Sequence, residues 1–173
     1  MQEVIEMFQK DTRNAMDAKI YAQQIAFAPF VFQSSRALRN FGLLSIIEES
    51  GEQGISAIEI QSKTKLSIYS VRVLLEAGLG IGLLTIEDGR YALTRTGYFI
   101  LHDKMTIANM DFTHDVCYEG LFELDKSLMT GKPEGLKVFG EWKTVYEALA
   151  HLPEHVRKSW FAFDHYYSSD SFP

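Results

Sequence analysis

A mainly helical fold carrying one small β-hairpin is predicted by three features of the 173-residue sequence. Apolar residues recur at i, i+3 and i+4 through most of the chain, the spacing of helices with one buried face. Asp88-Gly89, set between the β-prone residues 83–86 and 90–94, reads as a tight hairpin turn. Ser67 stands directly before an apolar helical run, where its hydroxyl serves as an N-cap. The length suits about one domain at the usual ~100–200 residues. A chain of that size hides roughly 70% of its unfolded surface, so it holds a core without crosslinks.

Residues 1–26 are predicted helical, with Val4 and Phe8, Met16 and Ile20, and Tyr21 and Ile25 each four apart on shared stripes. The polar run 9–14 is a candidate break. Pro29 ends this pattern, and a second helix over 32–49 turns Ala37, Leu38, Phe41, Leu44 and Ile47 inward. Gly51 and Gly54 flank the next turn. Ile55 and Ser56 suggest a very short strand, 57–63 a short helix, and the helix after Ser67 carries Val71, Leu74 and Leu75. Helix, short helix, helix and hairpin in this order make a winged helix, a helix-turn-helix variant. Beyond it the pattern predicts a helical turn or two over 97–102 and a long helix over 107–129, ended by Thr130-Gly131-Lys132-Pro133. A loop over 135–140 and a short helix over 142–150 follow, and Pro153 opens a last helix to about Tyr167. The organisation expected is N-terminal helices over 1–30, a winged-helix core over 31–102, and further helices over 103–173.

Composition narrows the function classes. Apolar residues make up 46% and charged residues 23%, which excludes wholesale disorder. Aromatics reach 13%, a surplus that points to a large apolar interface or pocket besides the core. The lone Cys117 excludes an intramolecular disulfide and any Cys-rich zinc site. A net charge of −6 argues against a DNA-phosphate footprint. No run approaches the ~18 apolar residues of a membrane span, and the acidic start is unlike a secretory signal. A soluble cytoplasmic protein is the expectation.

Four patterns are candidates for chemistry. Gly78-Leu79-Gly80-Ile81-Gly82 has the spacing of a nucleotide loop, but that loop needs a strand before it and a helix after it. Here the order is reversed, so the glycines are expected to cap a helix and permit tight packing. His151 and His155 are four apart, yet Pro153 separates them and the metalloprotease glutamate is missing, so no metal site is expected. Cys117 and His114 lack a base and an oxyanion site, which favours a buried, inert thiol. Tyr69, Ser70 and Arg72 on the second helix of the winged helix, with Lys63, Lys65, Arg90 and Arg95 nearby, keep DNA binding as the alternative reading.

Several stretches resemble a known family. Residues 37–44 (ALRNFGLL) and 54–60 (GISAIEI), then 71–77 (VRVLLEA), 82–84 (GLL) and 89–97 (GRYALTRTG), look like the opening of small-molecule O-methyltransferases that use S-adenosylmethionine. Residues 121–133, ending in Thr-Gly-Lys-Pro, and 161–165 (FAFDH) are similar to later helices of that family's first domain. The resemblance covers nearly the whole chain from about residue 20. It implies an N-terminal winged-helix domain that does not bind DNA, forms an intertwined dimer and helps wall the acceptor pocket. A Rossmann domain binding S-adenosylmethionine follows it in that family, and this sequence has no counterpart of it. The chain is therefore expected to be non-catalytic alone, a piece of a longer protein or a natural relative without the catalytic half.

The function expected is a homodimerising, pocket-forming domain of an O-methyltransferase-like protein acting on a small aromatic acceptor. S-adenosylmethionine is a cofactor of the parent only, and no catalytic, cofactor-binding or metal residue is assigned here. Candidates to wall the pocket are Phe112, Tyr118 and Phe122 on the long helix, Trp142 and Tyr146 after the loop, and Phe163 with His165 on the last helix. Phe122 and Trp142 also suit a core position. The alternatives are a winged-helix transcription regulator and a stand-alone ligand-binding or scaffold module.

Overall fold

Local cap chemistry sets most helix starts in the computed structural model, which describes residues 11–169. Asn14 accepts from the backbone N–H of Asp17 and opens α1 (Ala15–Ala26). Val4 and Phe8 lie outside the described residues. Phe27 alone separates α1 from α2 (Ala28–Asn40), in which Pro29 sits in the first turn. Proline is tolerated there because that N–H has no partner in a helix, so Pro29 starts a helix where the sequence suggested it would break one. The break comes at Gly42, whose φ of 77° ends the run before α3 (Leu43–Glu49). The predicted single helix over 32–49 is thus two, and the change of direction leaves Phe41 exposed where the periodicity had turned it inward.

The next elements follow the sequence closely. Strand β1 (Ile55–Ser56) runs into α4 (Ala57–Ser62) through a reciprocal cap. The Glu59 N–H donates to Ser56 Oγ at 3.3 Å, and the Ser56 N–H donates to Glu59 Oε2 at 2.8 Å. Ser56→Ala is expected to cost this unit about 1 kcal/mol, typical of a lost N-cap, measurable by urea unfolding. Ser67 caps α5 (Ile68–Ile81), and Gly82, at φ 86°, closes it. Strands β2 (Leu84–Glu87) and β3 (Arg90–Leu93) are joined at Asp88 and Gly89, whose φ values of 48° and 76° make the expected tight turn. The sheet order is β1-β3-β2, with β1 antiparallel to β3 and Ile55 opposite Tyr91. Arg90 donates to the carbonyls of Gln53 at 2.8 Å and Gly54 at 2.9 Å, pinning the corner before β1.

The chain forms two compact units, divided between Ala92 and Leu93. In the first, α2 and α4 pack on α5 around Leu38, Leu44, Ile47, Ile60, Val71 and Leu75. Gly78 lies against Leu84 and Leu38, so close that a Cβ would stand 2.7 Å from Leu84 Cδ1. The glycine run therefore serves packing and capping, as its position after a helix implied.

In the second unit, Thr94 and Asp103 cap α6 (Arg95–His102) and α7 (Lys104–Phe112). The long helix predicted over 107–129 is interrupted here. A π-turn over Thr113–Cys117 and a 3-10 turn over Gly120–Glu123 precede α8 (Leu124–Thr130). The interruption accompanies a backbone crossing, since a Cβ on Gly120 would lie 3.0 Å from the Gly135 carbonyl oxygen. Where a loop over 135–140 was expected, Glu134–Phe139 forms a 3-10 helix; α9 (Val145–Ala148) and α10 (Glu154–Ser169) follow. A small core of Ala148, Leu152 and Val156 is covered by Val116, Leu136, Phe139 and Trp142. No helix among the described residues is long and apolar enough to cross a membrane.

Candidate functional site

In the first unit the conspicuous surface is apolar. Helix α1 has no buried residue, although Met16, Ile20, Tyr21 and Ile25 lie on it. Ile25 is 61% exposed, and Phe30, early in α2, is 70% exposed. A soluble chain seldom presents so continuous an apolar helical face without a partner for it. The outer side of α5 is apolar too. Ile68, Tyr69 and Val73 are exposed there, and Arg72 is the single cation of that helix.

The second unit gathers part of the predicted aromatic set. Phe112 stacks on Phe163, ring centroids 4.1 Å apart and nearly parallel, and also meets Trp160 at 5.7 Å. Tyr146 meets the edge of the same Trp160 at 6.1 Å, and Tyr167 lies 4.8 Å beyond Phe163. A row of five rings results, and three of them, Phe112, Tyr146 and Phe163, were candidates from sequence. Trp160 and Tyr167 were missed. The i, i+3 and i+7 spacing of 160, 163 and 167 was available as a signal. Tyr167 Oη further donates to Asn109 Oδ1 at 3.0 Å, tying α10 to α7.

The other candidates stand elsewhere. Trp142 donates its indole N–H to the Phe139 carbonyl at 3.1 Å and stacks on His151. Tyr118 is half-buried beside His114, and His165 is exposed next to Phe161. Phe122 is 83% exposed, which corrects its reading as a core residue: the turn at 120–123 carries it outward. Cys117 is half-buried, and burial pushes its thiol pKa up, away from reactivity.

One polar cluster had no sequence signal, because its partners lie 44 residues apart. Ser159 Oγ donates to Asp115 Oδ2 at 2.6 Å, and His114 Nδ1 meets Asp115 Oδ1 at 2.7 Å. Burial raises the Asp115 pKa, but the Ser159 hydroxyl, His114 and then His155 outweigh it and hold the group below the usual aspartate range. A folded value below the unfolded one gives stability that is complete above about pH 4 and lost as pH falls through the folded value. Asp115→Asn is expected to flatten the acid limb of stability, read as the change in Tm between neutral and acid pH. An unaltered acid limb would refute the role of this carboxylate. Among the described residues no three His, Cys, Asp or Glu are placed to hold a metal ion.

Comparison with known proteins finds relatives for the stretch that carries the first of these surfaces. Residues 19–91 match the Dimerisation2-like domain. That Dimerisation2-like stretch contains most of α1, all of α2 to α5, β2 and the first half of β3. Over 137 residues the chain is 28% identical to an L-tyrosine C(3)-methyltransferase of Streptomyces lavendulae, an alignment covering 75% of this chain and 36% of that protein. The fold matches the crystal structure of the S-adenosylmethionine-dependent methyltransferase SibL with a TM-score of 0.71 and 25% identity, over 86% of this chain and 44% of SibL. It also matches the pyocyanin biosynthetic protein PhzM with a TM-score of 0.68 and 16% identity, over 86% of this chain and 44% of PhzM, which shows a shared fold. The chain thus spans less than half the length of these relatives. Its similarity to methyltransferases that use S-adenosylmethionine, read first from the motifs, is borne out.

Proposed function

We propose that this chain is the dimerising, pocket-walling domain of an O-methyltransferase-like protein that transfers a methyl group from S-adenosylmethionine to a small aromatic acceptor. The observation that carries the proposal is α1, a helix with no buried residue and an apolar stripe, most of it within a Dimerisation2-like match. In this reading 1–30 supplies the dimerisation helices, 31–102 a winged-helix core that packs and does not read DNA, and 103–173 the part that leads towards catalysis. The aromatic row around Phe112 and Phe163 suits a flat apolar acceptor, with Tyr118, Phe122, Trp142, Tyr146 and His165 as further wall candidates. The L-tyrosine C(3)-methyltransferase relative is named for an aromatic substrate and agrees with that class.

S-adenosylmethionine belongs to the parent protein here. Gly78, Gly80 and Gly82 lie at a helix end, with Gly78 filled in by Leu84 and Leu38, so they are no cradle for a nucleoside. No methyl-transfer step is assigned to these residues. The exposed Tyr69 and Val73 of α5 favour a protein surface over a phosphate backbone, and a cytoplasmic location suits the same reading.

Light scattering at micromolar concentration tests the proposal. The expected particle has twice the 19.7 kDa chain mass, and a stable monomer would overturn dimerisation. A clear shift with duplex DNA at ~0.1 M salt would favour the regulator reading instead.

A further inference from the structure

A cavity of about 290 Å³ opens in the second unit beside the π-turn, and neither dimerisation nor the aromatic row uses it. Its walls are of two kinds. Val116, Val138, Phe139 and Val156 make an apolar side, while His114, Asp115, Glu119 and His155 make a polar one. No Lys or Arg lines it among the described residues, so Asp115 and Glu119 share its polar side with His114 and His155 alone.

The polar side is built in a definite way. Asp115 is fixed through both oxygens, one receiving the Ser159 hydroxyl of α10 and the other held by His114 Nδ1. Its negative charge is therefore positioned but its lone pairs are largely spent. In its neutral form, with Nδ1–H donating to that carboxylate, the His114 ring carries an acceptor at Nε2. Glu119 is exposed at the same cavity, one helical turn after Asp115. Acceptors and negative charge on one side, with hydrocarbon and a phenyl ring on the other, match a ligand with N–H donors, positive charge and an apolar body. A metal ion does not fit, because no three ligating side chains converge.

We infer that this cavity binds a small primary ammonium compound, its ammonium group held by Glu119 and His114 and its hydrocarbon against Phe139 and Val138. The inference is independent of the methyltransferase reading and survives its failure.

The test uses the full chain with 2-phenylethylamine as probe and 2-phenylethanol as its uncharged counterpart, followed by calorimetry and by the ring resonances of His114 and His155. The amine is expected to bind and move both histidines, whereas the alcohol does neither. Glu119→Gln, at an exposed position that should leave the fold intact by circular dichroism, is expected to weaken the amine at least about tenfold, the size of one lost charged hydrogen bond. Asp115→Asn is expected to weaken it as well. Static histidine resonances at millimolar amine, equal binding of the alcohol, or an undiminished affinity in Glu119→Gln would each overturn the site.

Discussion

Ile25→Asp combined with Phe30→Asp is expected to convert the proposed dimer into a monomer with unchanged secondary structure. Both side chains are more than half exposed, so neither change opens a hole in the core of its own unit. Phe30 lies 6.1 Å from the Phe27 ring, and together they form the most aromatic spot on the α1–α2 face. Interface anchors of this type cost about 2 kcal/mol or more each when lost. Two such losses amount to about 4 kcal/mol, roughly a thousandfold in dissociation constant. Burying a carboxylate against an apolar partner adds to that. Sedimentation velocity across a dilution series reads the change directly. A double variant that keeps the parent mass at every concentration would move the interface off this face.

Gly135→Ala is expected to be the most damaging single methyl in the second unit. A Cβ there would run into the carbonyl oxygen of Gly120, and it would stand 2.9 Å from that carbonyl carbon. Backbone cannot step aside by changing rotamer, so the two crossing segments must separate. Overpacking of this kind costs about 3 kcal/mol at the upper end of its usual range. At about 4–8 °C per kcal/mol for a unit of this size, Tm falls by more than about 10 °C. Gly131 provides the contrast. It has φ of +64° but open space around it, so Gly131→Ala carries only conformational strain of about 1–2 kcal/mol. Thermal unfolding that ranked the two variants equally would show that the close crossing is unimportant.

What sequence reading captured and what it missed divide along one physical line. Ser67, Asp88-Gly89 and Gly82 act on neighbours within four residues, and each became the cap or turn its chemistry implied; Ser56, read only as strand, caps α4 as well. The larger misreadings depend on distant partners. Periodicity runs unbroken through 107–129, and nothing local announces that Gly120 must meet Gly135 or that Asp115 will answer Ser159. Phe41 was misread for a local reason. Its place in the apolar pattern is regular, and only the turn at Gly42 carries it outward. Of the pocket candidates, Phe112 and Phe163 meet because α7 packs on α10, while Phe122 and His165 share their composition but not their company.

The sheet decides how this chain can associate. With β3 in the middle, its two edges are β1, only two residues long, and β2, which carries an exposed glutamate at Glu87. An incoming strand would find on β1 too few backbone groups to hold it, and on β2 a charge that resists stacking. Both edges thus disfavour strand-on-strand growth, although the chain displays wide apolar surface. In the proposed dimer, association falls to helix faces, where shape limits the number of copies that fit.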